Sequence, residues 1–309
     1  GLILLQTTLK SKVSFEGIGL HSGAPVCVVL HPTTANTGVA FRRTDVTGKP
    51  LLQARWDDVI VSPLNTRLTN ASGVTVSTIE HLMAALAGCG VHNVIIDIDG
   101  PEVPILDGSA ASFVRGIVEA GLKRLSAPLR AIEILKEVSV SDGLAFARLS
   151  PATTLQIEFE IDFEDAAIGH QKKTLNMANG AFVRELCDSR TFCRQADVDA
   201  MHESGLALGG TLDNAVVVDG EDVLSPGGFR HADEAVRHKM LDALGDLALA
   251  GGPILGRYEG IRAGHALTNT LLRALFATPG AVEVVDCDDE MALRLPGQGL
   301  IWSEIPKVA

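Results

Sequence analysis

A chain of 309 residues, 46% hydrophobic and 21% charged, has apolar material for a sizeable core, which excludes a disordered or fibrous class and fits about two domains. Its 26 basic against 38 acidic residues leave a formal charge of −12, which argues against nucleic acid as a partner and against binding to anionic membranes. With 10 Phe, 2 Trp and 1 Tyr, the core must be built from Leu, Val, Ile and Ala, and no stacking surface for single-stranded nucleic acid is expected.

Up to Ser77 the chain reads as short strands, residues 26–30 and 39–41 among them, broken by Pro, Gly and Asn in the manner of antiparallel sheet. Ser77 stands three residues before Glu80, the spacing of a capping box, and predicts a helix over 78–87 that opens near Ser77 and ends at Gly88. The β-branched run 94–98 predicts a strand, and a second helix follows over 110–120, stopped by Gly121. A unit closes near Ser126-Ala127-Pro128.

The second half repeats this order: strands within 131–140 and 155–163, a helix over 233–250, the turn Gly251-Gly252-Pro253, a strand, and a helix over 266–277. The echo reaches residue type, since HLMAAL at 81–86 stands beside HKMLDAL at 238–244. The reading is an α+β chain made by internal duplication of a sheet with two helices, residues 1–127 and 128–309, the helices packed inward and the sheets outside.

Cys27, Cys89, Cys187, Cys193 and Cys287 are scattered, odd in number and without a CxxC pair, so a reducing cytoplasm is expected rather than a disulfide framework or thiolate zinc site. The opening GLILLQTTLKSK shows no basic leader or cleavage pattern, and no stretch approaches the roughly 18 apolar residues of a membrane span. Stable membrane insertion is therefore not expected.

His238, Asp242 and Asp246 are four residues apart and share one helix face, at the border of the apolar stripe Val236, Met240, Ala243, Leu244 and Leu247. A metal ion is one of the few partners that satisfies an imidazole and a carboxylate there together. An isolated HxxxD pair is more often a surface feature, so this spacing alone is weak. The matching helix of the first half strengthens it: if the two helices pack, His81 meets His238 and Asp242, completing the two-imidazole, one-carboxylate set of a catalytic zinc. Such donors also accept other divalent cations, iron(II) included. Glu80 would then lie beside the metal as a proton acceptor, or serve only its capping box. His265 heads the last helix, whose dipole favours a neutral imidazole while a carboxylate such as Asp246 restores the charge. A cationic His is a proton donor for a leaving amine. Lys239 offers positive charge to an oxyanion or phosphate.

At these residues the sequence resembles the UDP-3-O-acyl-N-acetylglucosamine deacetylase family, zinc amidases that take the committed step of lipid A synthesis in Gram-negative bacteria. The resemblance rests on GIGLHSG at 17–23, ANTGV at 35–39, FRRTD at 41–45, STIEHLMAAL at 77–86, PEVPILDGS at 101–109, SRTF at 189–192, VRHKMLD at 236–242 and GHAL at 264–267, all in family order. It implies two βααβ sandwich domains with the site at their junction. It implies zinc on His81, His238 and Asp242, general base on Glu80, general acid on His265 oriented by Asp246, and oxyanion contacts from Thr191 and Lys239. Substrate binding is implied for Leu64, Phe192 and Gly210, with Asp162 and Phe163 at the uracil end. The stretch 192–217 looks like the family's insert for the acyl chain, although its Cys193-Arg194-Gln195 entrance is more polar than expected. Lys172, Lys173 and Arg148 are candidates for the diphosphate without a firm match. The implied partner is UDP-3-O-(3-hydroxyacyl)-N-acetylglucosamine, met from the water side by a monomer.

Two other readings stay open at this level: a zinc amidase for another N-acyl sugar or small amide, and a duplicated binding module whose metal only pins two domains.

Overall fold

The computed structural model describes residues 1–300 and 302–308 and shows an α+β architecture. Six helices are present among them: α1 (Glu80–Cys89), α2 (Ala111–Ala120), α3 (Ala181–Glu185), α4 (Gln195–Glu203), α5 (Glu234–Leu247) and α6 (His265–Ala277). The predicted second helix and last helix agree to within a residue at each end, and α5 runs on through a 3-10 turn, Ala248–Ala250, to Gly251.

Two mixed sheets carry the frame. In the first, strands follow the order Val13–Ile18, Pro25–His31, Val94–Ile98, Val39–Arg43, Leu51–Gln53. In the second, the order Val138–Asp142, Ala145–Ser150, Ile254–Ile261, Leu155–Asp162, His170–Asn176 repeats this pattern. The sense of every pairing repeats too: in each sheet the strand that follows α1 or α5 is parallel to one neighbour and antiparallel to the other. The second sheet adds Arg130–Ile134 and Val282–Asp286 beside the start of Ile254–Ile261. The predicted strand over 131–140 is thus two strands, because Leu135 turns away to pair with Ala281. The sequence boundary at 126–128 is also no loose linker: Leu122–Pro128 is a strand paired antiparallel with Leu5–Leu9.

The outer faces of the sheets are polar. His31, Asp97 and Arg42 interact on the first, and Arg148, Glu259, Arg257 and Glu158 on the second. Alternate residues of the same strands, such as Val28, Leu30, Ile157 and Phe159, are buried, the period-2 pattern of a sheet with one wet face. Against these inner faces lie the helices: Phe113 of α2 meets Phe15 edge-on at 5.0 Å, while α5 and α6 pack on the second sheet. α1 and α5 pack against each other at the centre, and their buried residues make the core continuous across the two halves.

That central contact depends on Gly245. A Cβ there would overlap the backbone carbonyl of Glu80, and a backbone atom in the first turn of a helix cannot swing aside as a side chain can. Gly245→Ala is therefore expected to force α5 away from α1 and lower stability by about 1–3 kcal/mol, the usual cost of overpacking. Chemical denaturation of the variant tests this; unchanged stability would mean that the helices are not in contact there.

Candidate active site

The approach to α1 differs from a capping box. Ser77 is the last residue of the strand Thr75–Ser77, and its hydroxyl accepts from Arg67 Nε at 2.9 Å rather than capping a helix. α1 starts at Glu80, two residues later than predicted, because Thr78 takes a left-handed conformation with φ +61°. This geometry is costly for a β-branched residue and persists only where surroundings fix it. They do: Thr78 donates through its amide to the Thr66 carbonyl at 3.0 Å and through its hydroxyl to Glu102 Oε2 at 2.7 Å. Glu102 accepts further bonds from the amides of His21 and Ser22. The resulting elbow turns Glu80 and His81 inward, where both are buried.

There they meet α5. His81 Nε2 and His238 Nε2 each lie 3.3 Å from Asp242 Oδ1, and the two rings stand edge to face with centroids 4.9 Å apart. His238 Nδ1 donates to the Ser189 carbonyl at 2.9 Å, which fixes the tautomer and leaves Nε2 free as an electron-pair donor. The carbonyl is held in turn by Arg190, whose amide and guanidinium both bind the buried Glu234 carboxylate in the first turn of α5. Donor atoms of His81, His238 and Asp242 all lie within 4.8 Å of one another. Asp242 Oδ1 is buried without a hydrogen-bond partner among the described residues, an expensive condition that a divalent cation between the two imidazoles would relieve. The donor set therefore fits a metal ion.

Charges around this cluster are arranged in opposition. His265 heads α6 and its Nδ1 meets Asp246 Oδ2 at 2.6 Å, while its Nε2 lies 3.8 Å from both Glu80 Oε1 and Asp242 Oδ2. Burial disfavours the imidazolium, but Asp246, Glu80 and Asp242 together outweigh it and raise its pKa to about 10. Burial pushes the Glu80 carboxyl up to about 8, with His265 opposing and Asp242 and Asp246 adding to the rise. A cation bound alongside favours the carboxylate and lowers that value. Burial lowers His81, and Asp242 is held well below the usual carboxylate range because His238, His265 and His81 outweigh its desolvation.

The cluster opens into a cavity of about 640 Å³, within the range of small-molecule sites. Its lining joins polar groups, among them His238, Lys239, Asp242, Thr191 and His265, with apolar ones such as Leu64, Phe192, Met201, Leu212 and Val217. Phe163 also lines it, edge-on to Phe192 at 5.5 Å, and Gly210 closes one wall. The 192–217 stretch is structured as a short strand (Phe192–Arg194), α4, and the start of a second strand, Val216–Asp219. Cys193, Arg194 and Gln195 all line the cavity, so the polar stretch expected there is present, with Arg194 paired to Asp165. Lys239 Nζ lies 5.7 Å from the Phe159 ring centre.

Some candidates stand apart from the cavity. Asp162 is exposed, with its carboxylate 3.4 Å from Arg262, and is not part of the lining. Lys173 pairs with Asp233, Lys172 with Glu158, and Arg148 with Glu259 and Glu137. Conversely, sequence reasoning passed over three residues at the site. His21 lines the cavity with an unpartnered buried Nδ1, the Ser189 carbonyl orients His238, and Thr66 reaches both Glu80 and Asp246. His21 stood in the GIGLHSG segment and Ser189 in SRTF, but Ser189 acts here through a backbone carbonyl, which has no residue type, and a lone threonine leaves no pattern in sequence.

Two imidazoles and a carboxylate converging in one buried cluster, beside a carboxyl and a third imidazole and opening on a cavity, form the donor arrangement found in metal-dependent hydrolases. The sequence pattern of the family described as UDP-3-O-acyl N-acetylglycosamine deacetylase matches residues 6–277. Three proteins named UDP-3-O-acyl-N-acetylglucosamine deacetylase illustrate the likeness. One from Phenylobacterium zucineum is 48% identical over 290 residues, covering 94% of this chain and 99% of its own. Those from Acidithiobacillus ferrooxidans and Pasteurella multocida are 44% and 43% identical, each across 94% of this chain and 96% of its own. The chain belongs to the UDP-3-O-acyl-N-acetylglucosamine deacetylase family. No helix among the described residues is long and apolar enough to cross a membrane.

The geometry makes a direct prediction for metal binding. Asp242→Ala removes an oxygen donor from the cluster, whereas His265→Ala leaves all three donors in place. Titration of metal-free protein with zinc should therefore show one tight site in His265→Ala and none in Asp242→Ala; equal binding by both would remove Asp242 from the ligand set.

Proposed function

We propose that the protein hydrolyses the 2-acetamido group of UDP-3-O-(3-hydroxyacyl)-N-acetylglucosamine, releasing acetate and a free amine in the committed step of lipid A synthesis. The observation that carries this reading is the unpartnered Asp242 oxygen between His81 and His238, with Glu80 and His265 on its flank. Zinc is the cation proposed for these three residues, with iron(II) an alternative that the same donors accept. When bound there, zinc acidifies water and polarises an amide carbonyl.

The chain's own groups do the rest. Glu80, buried and poised between its two protonation states, accepts a proton from the attacking water. Thr191 and Lys239, which line the cavity together with His238, Asp242 and His265, are the groups for the tetrahedral oxyanion. His265, kept protonated by Asp246, gives its Nε2 proton to the departing nitrogen. Atoms balance: the C–N bond breaks, water's oxygen goes to acetate and its protons reach the products through Glu80 and His265. The acyl chain lies along Leu64, Phe192 and Gly210, which line the cavity with Phe163. Asp162, exposed at its strand end, can meet the uracil only outside this cavity.

The duplicated strand order supports two units, residues 1–127 and 128–309, with the active site at their seam. The reading places a monomer in the cytoplasm, taking its lipidic substrate from the water side, with no nucleic-acid partner. The −12 charge and the lack of a spanning helix among the described residues are consistent with it.

Purified protein should release acetate from that substrate, lose the activity to a chelator and regain it with zinc. Failure of correctly folded, zinc-loaded protein to do so would reject the substrate and favour another amide. His265→Ala should lose roughly 10²–10⁴-fold in turnover, the usual contribution of acid–base groups. The pH dependence has a definite sign. Activity rises as Glu80 ionises and falls as His265 loses its proton, giving a bell. Asp246 raises the His265 pKa, so Asp246→Asn should bring the basic limb to lower pH; an unmoved limb would show that another group is the acid.

A further inference from the structure

We infer that Thr66 is a positioning residue that locks the general base and the partner of the general acid in register across the seam between the two halves. The inference rests on the roles given above to Glu80 and His265. Thr66 precedes the strand Arg67–Thr69 and is buried. Its amide donates to Glu80 Oε2 at 3.2 Å, and its hydroxyl donates to Asp246 Oδ1 at 2.6 Å. The two carboxylates lie 14 and 180 positions away in the chain, one on α1 and the other on α5.

These bonds close a ring. Asp246 uses its other oxygen, Oδ2, for His265 Nδ1 at 2.6 Å, and His265 Nε2 returns to within 3.8 Å of Glu80 Oε1. Three of the four links are hydrogen bonds, each made by a different atom, and the fourth, His265 Nε2 to Glu80 Oε1, is an ion-pair approach. Thr66 is itself immobile, because its carbonyl accepts the amides of Thr78 and Ile79 at the elbow that starts α1. The hydroxyl carries the one hydrogen of this bond and Asp246 Oδ1 accepts it. Without it, Asp246 is held only through Oδ2 by the imidazole it should aim, and its soft terminal torsion can turn together with that ring. A positional error of about 1 Å at reacting groups costs on the order of 10²-fold.

Thr66→Val removes the hydroxyl while keeping the shape and the amide bond to Glu80; Thr66→Ser restores the hydroxyl without the methyl. In zinc-loaded protein Thr66→Val should bind one zinc and keep KM within about 2-fold, while kcat falls roughly 30-fold. Thr66→Ser should recover most of that loss. In an Asp246→Ala background Thr66→Val should cost nothing further, because its partner is already gone. A readout without turnover is the Nδ1–H proton resonance of His265 in metal-free protein, which should shift in Thr66→Val and hold in Thr66→Ser. If Thr66→Val does not fold, Thr66→Ala carries the same comparison. Full kcat in the variant, an unmoved resonance, equal damage from Val and Ser, or losses that multiply with Asp246→Ala would each overturn the inference. A wild-type protein that releases no acetate would instead reject the reading of the site, and the resonance would still decide whether Thr66 holds Asp246.

Discussion

The backbone of α5 approaches the first turn of α1 so closely that only a glycine, Gly245, fits against the Glu80 carbonyl. Everything at the site follows from that approach. His81 belongs to the first half of the chain, while His238 and Asp242 belong to the second, and no local segment could bring them within reach of one another. One face of the α1–α5 pair is occupied by Leu82, Met83, Leu244 and Leu247 in the shared core, so apolar burial holds the polar donors together. The hydrophobic effect thus supplies the energy and the glycine supplies the geometry.

Close packing also concentrates charge. Glu80, His81, His238, Asp242 and Asp246 are all buried, and each would be unfavourable alone. A depressed Asp242 stands against a raised His265, and the His265 imidazole opposes the burial that raises Glu80, 3.8 Å away. Such displacements of neighbouring groups are what the proposed acid–base roles of Glu80 and His265 require. The surrounding polar bonds hold this state in place: Glu234 on Arg190, Ser189 on His238, and Glu102 on the strained Thr78 elbow.

Much of the frame was legible in the sequence because it is periodic or punctuated. Gly121, Gly251 and the β-branched 94–98 run marked helix ends and a central strand, and the i, i+4 spacing placed His238 and Asp242 on one face. Capping-box spacing misled at α1, since Glu80 turns its carboxylate to the Thr66 amide and Ser77 belongs to a strand. Asp162, which the resemblance put at the uracil end, stands exposed at its strand end near Arg262 and outside the cavity lining. Thr66 and the Ser189 carbonyl were invisible, because a tertiary hydrogen bond between residues 180 positions apart has no period and a main-chain oxygen has no residue type. What a sequence pattern records is the face a side chain shares, not the partner that a fold brings to it.

The central claim is that both halves of the chain grip one metal ion. Diffraction from crystals of zinc-loaded protein, with data at the zinc absorption edge, tests it most directly. The account predicts a single strong anomalous peak about 2.0–2.2 Å from one nitrogen each of His81 and His238 and from an Asp242 oxygen, with Glu80 and His265 beside it. A peak held by residues of only one half, or by cysteine sulfur, would contradict it.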